Sequence, residues 1–130
     1  MDNSLRHFIA YHNAEKMGYS SSAMTEPKVK TSKRIMGLEG AMVWVIAGEG
    51  KRPKSYFLAS RFIVKRCTYG KYIMSDLPNE ISGDGQLFGK SVPLDGLPIL
   101  GELRRVSANF RKGLFEVADI SVIATLRTLK

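Results

Sequence analysis

Two dense runs of apolar residues, at 41–47 and 56–64, dominate the first half of the chain. The first run is almost wholly apolar, which is typical of a strand covered on both faces, as in a small barrel. The second run alternates, and its predicted faces are Phe57, Ala59, Arg61 and Ile63 against Tyr56, Leu58, Ser60, Phe62 and Val64. The connector 48–54 is rich in glycine and cations. The pattern predicts a hairpin of two core strands joined by a basic turn.

A weaker alternation at 5–11 predicts a first strand. Its faces are Phe8 and Ala10 on one side, and His7, Ile9 and Tyr11 on the other. His12 and Asn13 follow at the point where this strand leaves the sheet. Scaffolds often present functional side chains at such positions.

The second half of the chain predicts turns and two helices. Residues 72–75 predict a short strand, and 76–89, which contain Leu-Pro-Asn and Ser-Gly-Asp-Gly, predict turns. Pro98 predicts the first turn of a short helix, and Asp119 predicts the N-cap of a last helix. The residues predicted to face inward are Leu100, Leu103 and Val106 in the first helix, and Ile120, Ile123, Ala124 and Leu126 in the last.

The domain organisation follows from length and pattern. A chain of 130 residues has the size of one domain. Residues 19–33 are polar without a helical or strand period, which predicts a flexible loop. We therefore predict a single α+β domain over residues 1–130, built around a small curved sheet or open β-barrel with a few short helices.

Positive charge dominates the composition. The chain has 20 lysines and arginines against 12 acidic residues, a net charge of +8. Such a surface suits nucleic acid, although a solvated basic face is the alternative. The single cysteine, Cys67, excludes an internal disulfide and fits a reducing compartment. Without a signal peptide or an apolar run approaching ~18 residues, the expectation is a cytoplasmic protein with no membrane partner.

No catalytic motif stands out in the sequence. There is no P-loop, no GxGxxG and no GxSxG; the residues from Gly48 to Lys51 resemble a phosphate loop, but Arg52 and Pro53 follow in place of a helix. The two histidines lack metal-ligand spacing, and no two carboxylates are placed together as an acid/base pair. A nuclease would need such groups. The sequence therefore predicts no catalytic residues, no metal site and no cofactor.

Cations and aromatic rings remain as candidate binding groups, because cations bind phosphates and rings stack on bases. The predicted phosphate-binding residues are Lys33, Arg34, Lys51, Arg52, Lys54, Arg104, Arg105, Arg111 and Lys112. The predicted pocket residues are Tyr11, His12, Asn13, Tyr19, Trp44 and Phe110. Trp44 lies within an apolar run and fits the core as an alternative. Tyr56 is a further ring that could stack on a base, with a cap at the end of a strand pair as its alternative.

The hairpin residues also carry a family resemblance. The runs Gly-Ala-Met-Val-Trp-Val-Ile-Ala-Gly-Glu-Gly at 40–50 and Ser-Tyr-Phe-Leu-Ala-Ser-Arg-Phe-Ile-Val at 55–64 resemble the strand pair of PUA-like domains of the EVE, YTH and ASCH kind. The segments 8–13, 15–19, 97–98, 103–105 and 109–114 are similar to uncharacterised bacterial domains fused to HNH nucleases. The resemblance implies a domain that holds a flipped, modified base in an aromatic and polar pocket while a separate nuclease subunit cuts the DNA.

The function predicted from these observations is nucleic-acid binding, with modified bases in DNA favoured over RNA as the ligand. The aromatic and polar pocket would read the base, and the basic rim would hold the backbone. Two alternatives stay open. One is a protein-interaction or adaptor module of a mobile-element or defence system; the other is an enzyme acting on RNA or a nucleotide.

Overall fold

A computed structural model of the protein describes residues 5–13, 25–31, 35, 37–50, 54–68, 79–89, 91–110 and 113–129. Their elements in chain order are β1 (His7–Asn13), β2 (Lys28–Thr31), β3 (Met42–Glu49), β4 (Ser55–Thr68), β5 (Asn79–Leu87), α1 (Pro98–Val106), β6 (Leu114–Val117) and α2 (Ile120–Thr128). The short strand predicted at 72–75 lies outside the described residues.

The strands form one mixed sheet that curls into a half-barrel. The strand order is β2-β5-β4-β3-β1-β6. β1 and β3 run parallel, and the other neighbouring pairs are antiparallel. The predicted hairpin is formed by β3 and β4 at the centre of this order. The prediction of an α+β protein with a curved sheet and short helices is therefore confirmed at this level.

Each face of the sheet carries its own apolar core. One core draws on all six strands and includes Phe8, Val43 and Phe62. The other packs the strands β1, β3, β4 and β6 against α1 and α2, and includes Ile9, Ile46 and the fully buried Trp44. This arrangement explains the unbroken apolar run of β3, because both of its faces are covered. It also confirms the two faces predicted for the first strand.

The predicted faces of β4 are correct only in its first half. The register against β3 shifts between Val45 and Ile46, so that Ser60 pairs with Val45 while Leu58 pairs with Ile46. Ala59 is the additional residue of this β-bulge, and an additional residue reverses the alternation beyond it. Leu58 therefore belongs to the helix-side core, whereas Phe62, predicted to share its face, belongs to the opposite core.

The turns predicted at 76–89 are wrong for most of that segment, because Asn79–Leu87 form the nine-residue strand β5. The glycines that suggested turns have another role here. A Cβ at Gly83 or Gly85 would overlap a backbone carbonyl oxygen of β4, that of Ile63 or Arg61. Glycine at these positions allows the two strands to approach closely.

One further prediction is corrected by a neighbouring strand. The loop predicted over 19–33 does not extend to Lys28–Thr31, which form β2 and pair with β5. These residues alternate buried and exposed over too few positions to give a period. Among the described residues, neither helix is long and apolar enough to cross a membrane.

Both predicted helices are present. Asp119 caps α2, since its carboxylate accepts hydrogen bonds from the backbone N–H groups of Ser121 and Val122. The inward face of α2 agrees with the prediction at Leu126, which is buried, and at Ile123, which packs partly buried against the core. It differs elsewhere, because Val122 is buried whereas Ile120 is 82% exposed and Ala124 is exposed. The cap places the start of the helix so that Val122 and Leu126, four residues apart, share the stripe that meets the sheet.

Candidate functional site

Three aromatic rings meet on the helix side of the sheet. The rings of Tyr11 and Phe110 are stacked, with centroids 4.7 Å apart and an interplanar angle of 9°. Tyr56 lies against both, 5.4 Å from Phe110 and 6.3 Å from Tyr11. We call these three residues the aromatic cluster. Two of its members, Tyr11 and Phe110, were predicted pocket residues, and the fold brings them together from positions 99 residues apart in the chain.

Strand register places the two tyrosines. Tyr11 lies on β1 opposite Ile46 of β3, and Tyr56 of β4 pairs with Gly48, two residues further along β3. A Cβ at Gly48 would overlap the Tyr11 hydroxyl oxygen and lie 2.9 Å from its Cζ. The absence of a side chain at Gly48 therefore lets the Tyr11 ring lie across β3.

Phe110 is held by an unusual backbone turn that follows α1. Ala108, Asn109 and Phe110 have φ values of 53°, 62° and 66°, in the left-handed region that disfavours residues with a Cβ. The Phe110 N–H donates to Ser107 Oγ at 2.7 Å, and the Asn109 N–H donates to the Arg104 carbonyl at 2.7 Å. We call 108–110 the left-handed turn. It directs the Phe110 ring, 5% exposed, into the aromatic cluster.

Two cations border the aromatic cluster. The guanidinium of Arg104 lies 5.8 Å from the centroid of the Tyr56 ring, within the range of a cation–π interaction, and its Nε donates to Asn109 Oδ1 at 2.8 Å. Lys54 lies beside Gly48, where its Cδ would be 3.0 Å from an added Cβ. Among the described residues, no carboxylate pairs with Arg104. Its positive charge is therefore available to an anionic ligand.

An open cavity of about 440 Å³ lies beside Arg104 and is lined by Gly101, Arg104, Arg105, Ala108 and Asn109. Arg105, also predicted to bind phosphate, donates to Glu102 in an ion pair of 2.5 Å. Its charge is thus partly compensated, whereas the described part of the chain provides no carboxylate partner for Arg104. A second cavity of about 410 Å³ between α1 and α2 is mainly apolar and holds none of the predicted site residues.

Tyr11 is an uncharged phenol at any ordinary pH. Burial, with a smaller contribution from neighbouring Tyr56, raises the pKa of Tyr11 to about 12. Its hydroxyl can therefore donate or accept a hydrogen bond, and its ring offers an uncharged stacking surface. The cluster combines flat rings, a phenolic hydroxyl and nearby positive charge.

His12 and Trp44 do not join the aromatic cluster. His12 is buried next to Tyr11 in β1, and strand alternation puts the two side chains on opposite faces. Trp44 is 1% exposed, and its Nε1 donates to His7 Nδ1 at 3.2 Å. Trp44 therefore lies in the core, which was the alternative to a place in the pocket. Asn13 ends β1, and its side chain lies outside the described structure.

His7 links the sheet to α2 in a neighbouring buried site. With Trp44 donating to Nδ1, the neutral ring carries its proton on Nε2. The Arg127 guanidinium lies 3.4 Å from Nε2 but forms no hydrogen bond with this tautomer, because both groups are then donors. Burial first, and the charge of Arg127 second, lower the pKa of His7. His7 therefore acts as a neutral structural group here.

The remaining predicted site residues cannot be placed, because they lie outside the described residues: Tyr19, Lys33, Arg34, Lys51, Arg52, Arg111 and Lys112. The structure adds Tyr56, a ring that the sequence offered for base stacking but that was not among the predicted pocket residues. Gly48 is the signal in the sequence that could have indicated this contact. It lies at the end of an apolar strand, pairs with Tyr56, and has no side chain that would keep the Tyr11 ring away.

Among the described residues, no three histidine, cysteine or acidic side chains are grouped as metal ligands. A comparison of the sequence with known proteins matched no family model and no curated protein.

Proposed function

We propose that this protein is a nucleic-acid-binding domain that reads a modified base in DNA, binds without catalysing a reaction, and leaves any cleavage to a separate nuclease subunit. The observation that carries the proposal is the aromatic cluster with Arg104 over one of its rings and Lys54 beside another. The preference for DNA and for a modified base rests on the resemblance to PUA-like domains.

The cations would supply affinity that does not depend on sequence. Each phosphate neutralised by a lysine or arginine releases counterions, so binding weakens as salt increases. Arg104 supports this role because its guanidinium faces an open cavity without a carboxylate partner among the described residues. The net charge of +8 favours approach of a polyanion in the same way.

The aromatic cluster would supply the contact to the base. Stacking of a base on an aromatic side chain contributes about 1–3 kcal/mol, which offsets the few kcal/mol needed to take the base out of a duplex. The Tyr11 hydroxyl, which is neutral, would hydrogen-bond the edge of the base. Charge would thus provide affinity, and the cluster selectivity.

Salt dependence of binding tests the phosphate contact. We expect Arg104→Gln to weaken binding of a DNA oligonucleotide and to reduce the slope of log K against log salt by about one phosphate contact. The matched control is Arg66→Gln, at the opposite end of β4 from Tyr56, about 30 Å away at ~3.3 Å per residue. An equal loss in both variants would mean that the charge acts without a defined site.

Ring removal tests the base contact. We expect Tyr11→Ala to weaken binding of an oligonucleotide with a 5-modified cytosine or N6-modified adenine by about tenfold, corresponding to ~1.4 kcal/mol of stacking. Tyr11→Phe, which keeps the ring and removes the hydroxyl, is the control and should retain most of this affinity. Unchanged binding and base preference in Tyr11→Ala would refute the assignment of the base site. Binding of RNA and not DNA would refute the proposed ligand.

A further inference from the structure

We propose that the ring of Phe110 occupies the place on Tyr11 that the bound base takes, and that the left-handed turn moves this ring away when the ligand binds. This inference rests on the proposed function and specifies how its base site opens. It makes Phe110 a competitor of the ligand rather than a contact.

The ring geometry is the first observation. Phe110 lies parallel to Tyr11 at 4.7 Å and 9°, an arrangement that a base stacked on the same ring would reproduce. Phe110 is also tilted by 33° against Tyr56 at 5.4 Å, and the two tyrosine rings lie 6.3 Å apart, so the three rings form a triangle. Removal of the phenyl group would uncover this face of Tyr11 beside the edge of the Tyr56 side chain. With Phe110 in place, this face of Tyr11 is covered.

The backbone is the second observation. Three consecutive residues with a Cβ adopt left-handed conformations, and both Ala108 and Phe110 lack the short polar side chain that makes this region tolerable for Asn109. Such strain persists only where the surroundings enforce it, and it reduces the free-energy gap between the closed turn and an open one. Burial of the Phe110 ring stabilises the closed turn and opposes this strain.

Arg104 connects the turn to the ligand. Its Nε donates to Asn109 Oδ1 at 2.8 Å, and its guanidinium lies over the Tyr56 ring. A phosphate that binds this guanidinium through the Nε edge competes with the Asn109 side chain for the Nε–H donor. Phosphate binding would therefore weaken one restraint on the left-handed turn, which has the open 440 Å³ cavity on its outer side.

Two substitutions with opposite expected effects test the inference. Ala108→Gly removes the conformational strain of the closed turn, so we expect it to stabilise the closed state and weaken oligonucleotide binding about fivefold. Phe110→Ala removes the competing ring, and we expect it to strengthen binding about fivefold although the protein becomes less stable. Ala124→Gly, at an exposed position of α2, is the control for the first change and should leave affinity unchanged.

The measurements are the dissociation constant for one single-stranded DNA oligonucleotide and hydrogen exchange of the Phe110 and Gly113 amides without ligand. We expect Ala108→Gly to slow the exchange of these amides by about the same factor as it weakens oligonucleotide binding. Phe110→Leu, which keeps apolar volume without a flat ring, replaces Phe110→Ala if that variant does not fold, and it should also bind more tightly.

The outcomes separate the inference from the proposed function. If the wild type binds and the Phe110 variants bind equally or more weakly, Phe110 is not a competitor of the ligand. Its ring would then belong to the core or to the stacking surface. Unchanged amide exchange in Ala108→Gly would also overturn it. Absence of binding by the wild type and by every variant would overturn the proposed function itself, and this inference with it.

Discussion

Replacement of Gly48 by alanine tests how the aromatic cluster is built. The new Cβ would overlap the Tyr11 hydroxyl oxygen and lie 2.9 Å from Cζ, so the Tyr11 ring must move. Lys54 Cδ, 3.0 Å away, belongs to a flexible chain and can adjust. The perturbation therefore acts on one packed ring.

The expected magnitude is a balance of two effects. Overpacking a well-packed site costs about 1–3 kcal/mol, whereas replacing glycine by alanine within a strand gains about 0.5–1 kcal/mol. We expect Gly48→Ala to lower the free energy of unfolding by about 0.5–2 kcal/mol. In a Tyr11→Ala background the overlap is gone, and the same change should stabilise the protein by about 0.5–1 kcal/mol.

Urea unfolding of the four proteins in this double-mutant cycle, followed by the fluorescence of the single tryptophan, Trp44, measures both effects. Gly101→Ala is the matched control: nothing lies within 4 Å of its added Cβ, and in α1 it should gain about 0.5–1 kcal/mol. The reasoning fails if Gly48→Ala is as stable as the wild type, or if its loss persists when residue 11 is alanine.

Two further predictions concern the sheet and the buried histidine. Gly85→Ala places a Cβ against the Arg61 carbonyl oxygen and the Phe62 backbone. We therefore expect the free energy of unfolding, measured with urea, to fall by about 1–3 kcal/mol. A decrease no larger than the experimental error would show that β5 can shift to make room. The pKa of His7 is lowered from its usual 6.5, so the unfolded chain takes up a proton before the folded protein does. Wild-type stability should therefore be complete above pH 6.5 and fall as the pH decreases towards the folded-state pKa. His7→Gln, which keeps His12, should lose this component of the pH dependence, and identical profiles would contradict it.

The local parts of this fold could be predicted because local chemistry determines them. The apolar runs of β3 and β4, Pro98 at the start of α1 and the Asp119 cap each act within a few residues. The strand β5 could not be predicted, since Gly83 and Gly85 are needed for contact with β4, which a sequence pattern does not reveal.

The same distinction applies to the site. Tyr11 and Phe110 were identified from residue type, but their contact depends on the left-handed turn, and three consecutive residues with positive φ have no sequence signature in Ala-Asn-Phe. The separation of Tyr11 from His12 follows from strand alternation and was predictable. The participation of Tyr56 depended on the register between β3 and β4.

The position of β1 has a consequence for synthesis of the chain. Of the described strands β1 is translated first, and its two neighbours are β3, which begins at residue 42, and β6, which begins at residue 114. Once β3 has been synthesised it can cover one edge of β1, but the other edge has no partner strand until β6 follows. Pairings between distant parts of a sequence form slowly, and an uncovered strand edge can pair with another chain, so this interval is when the growing sheet is most exposed to aggregation.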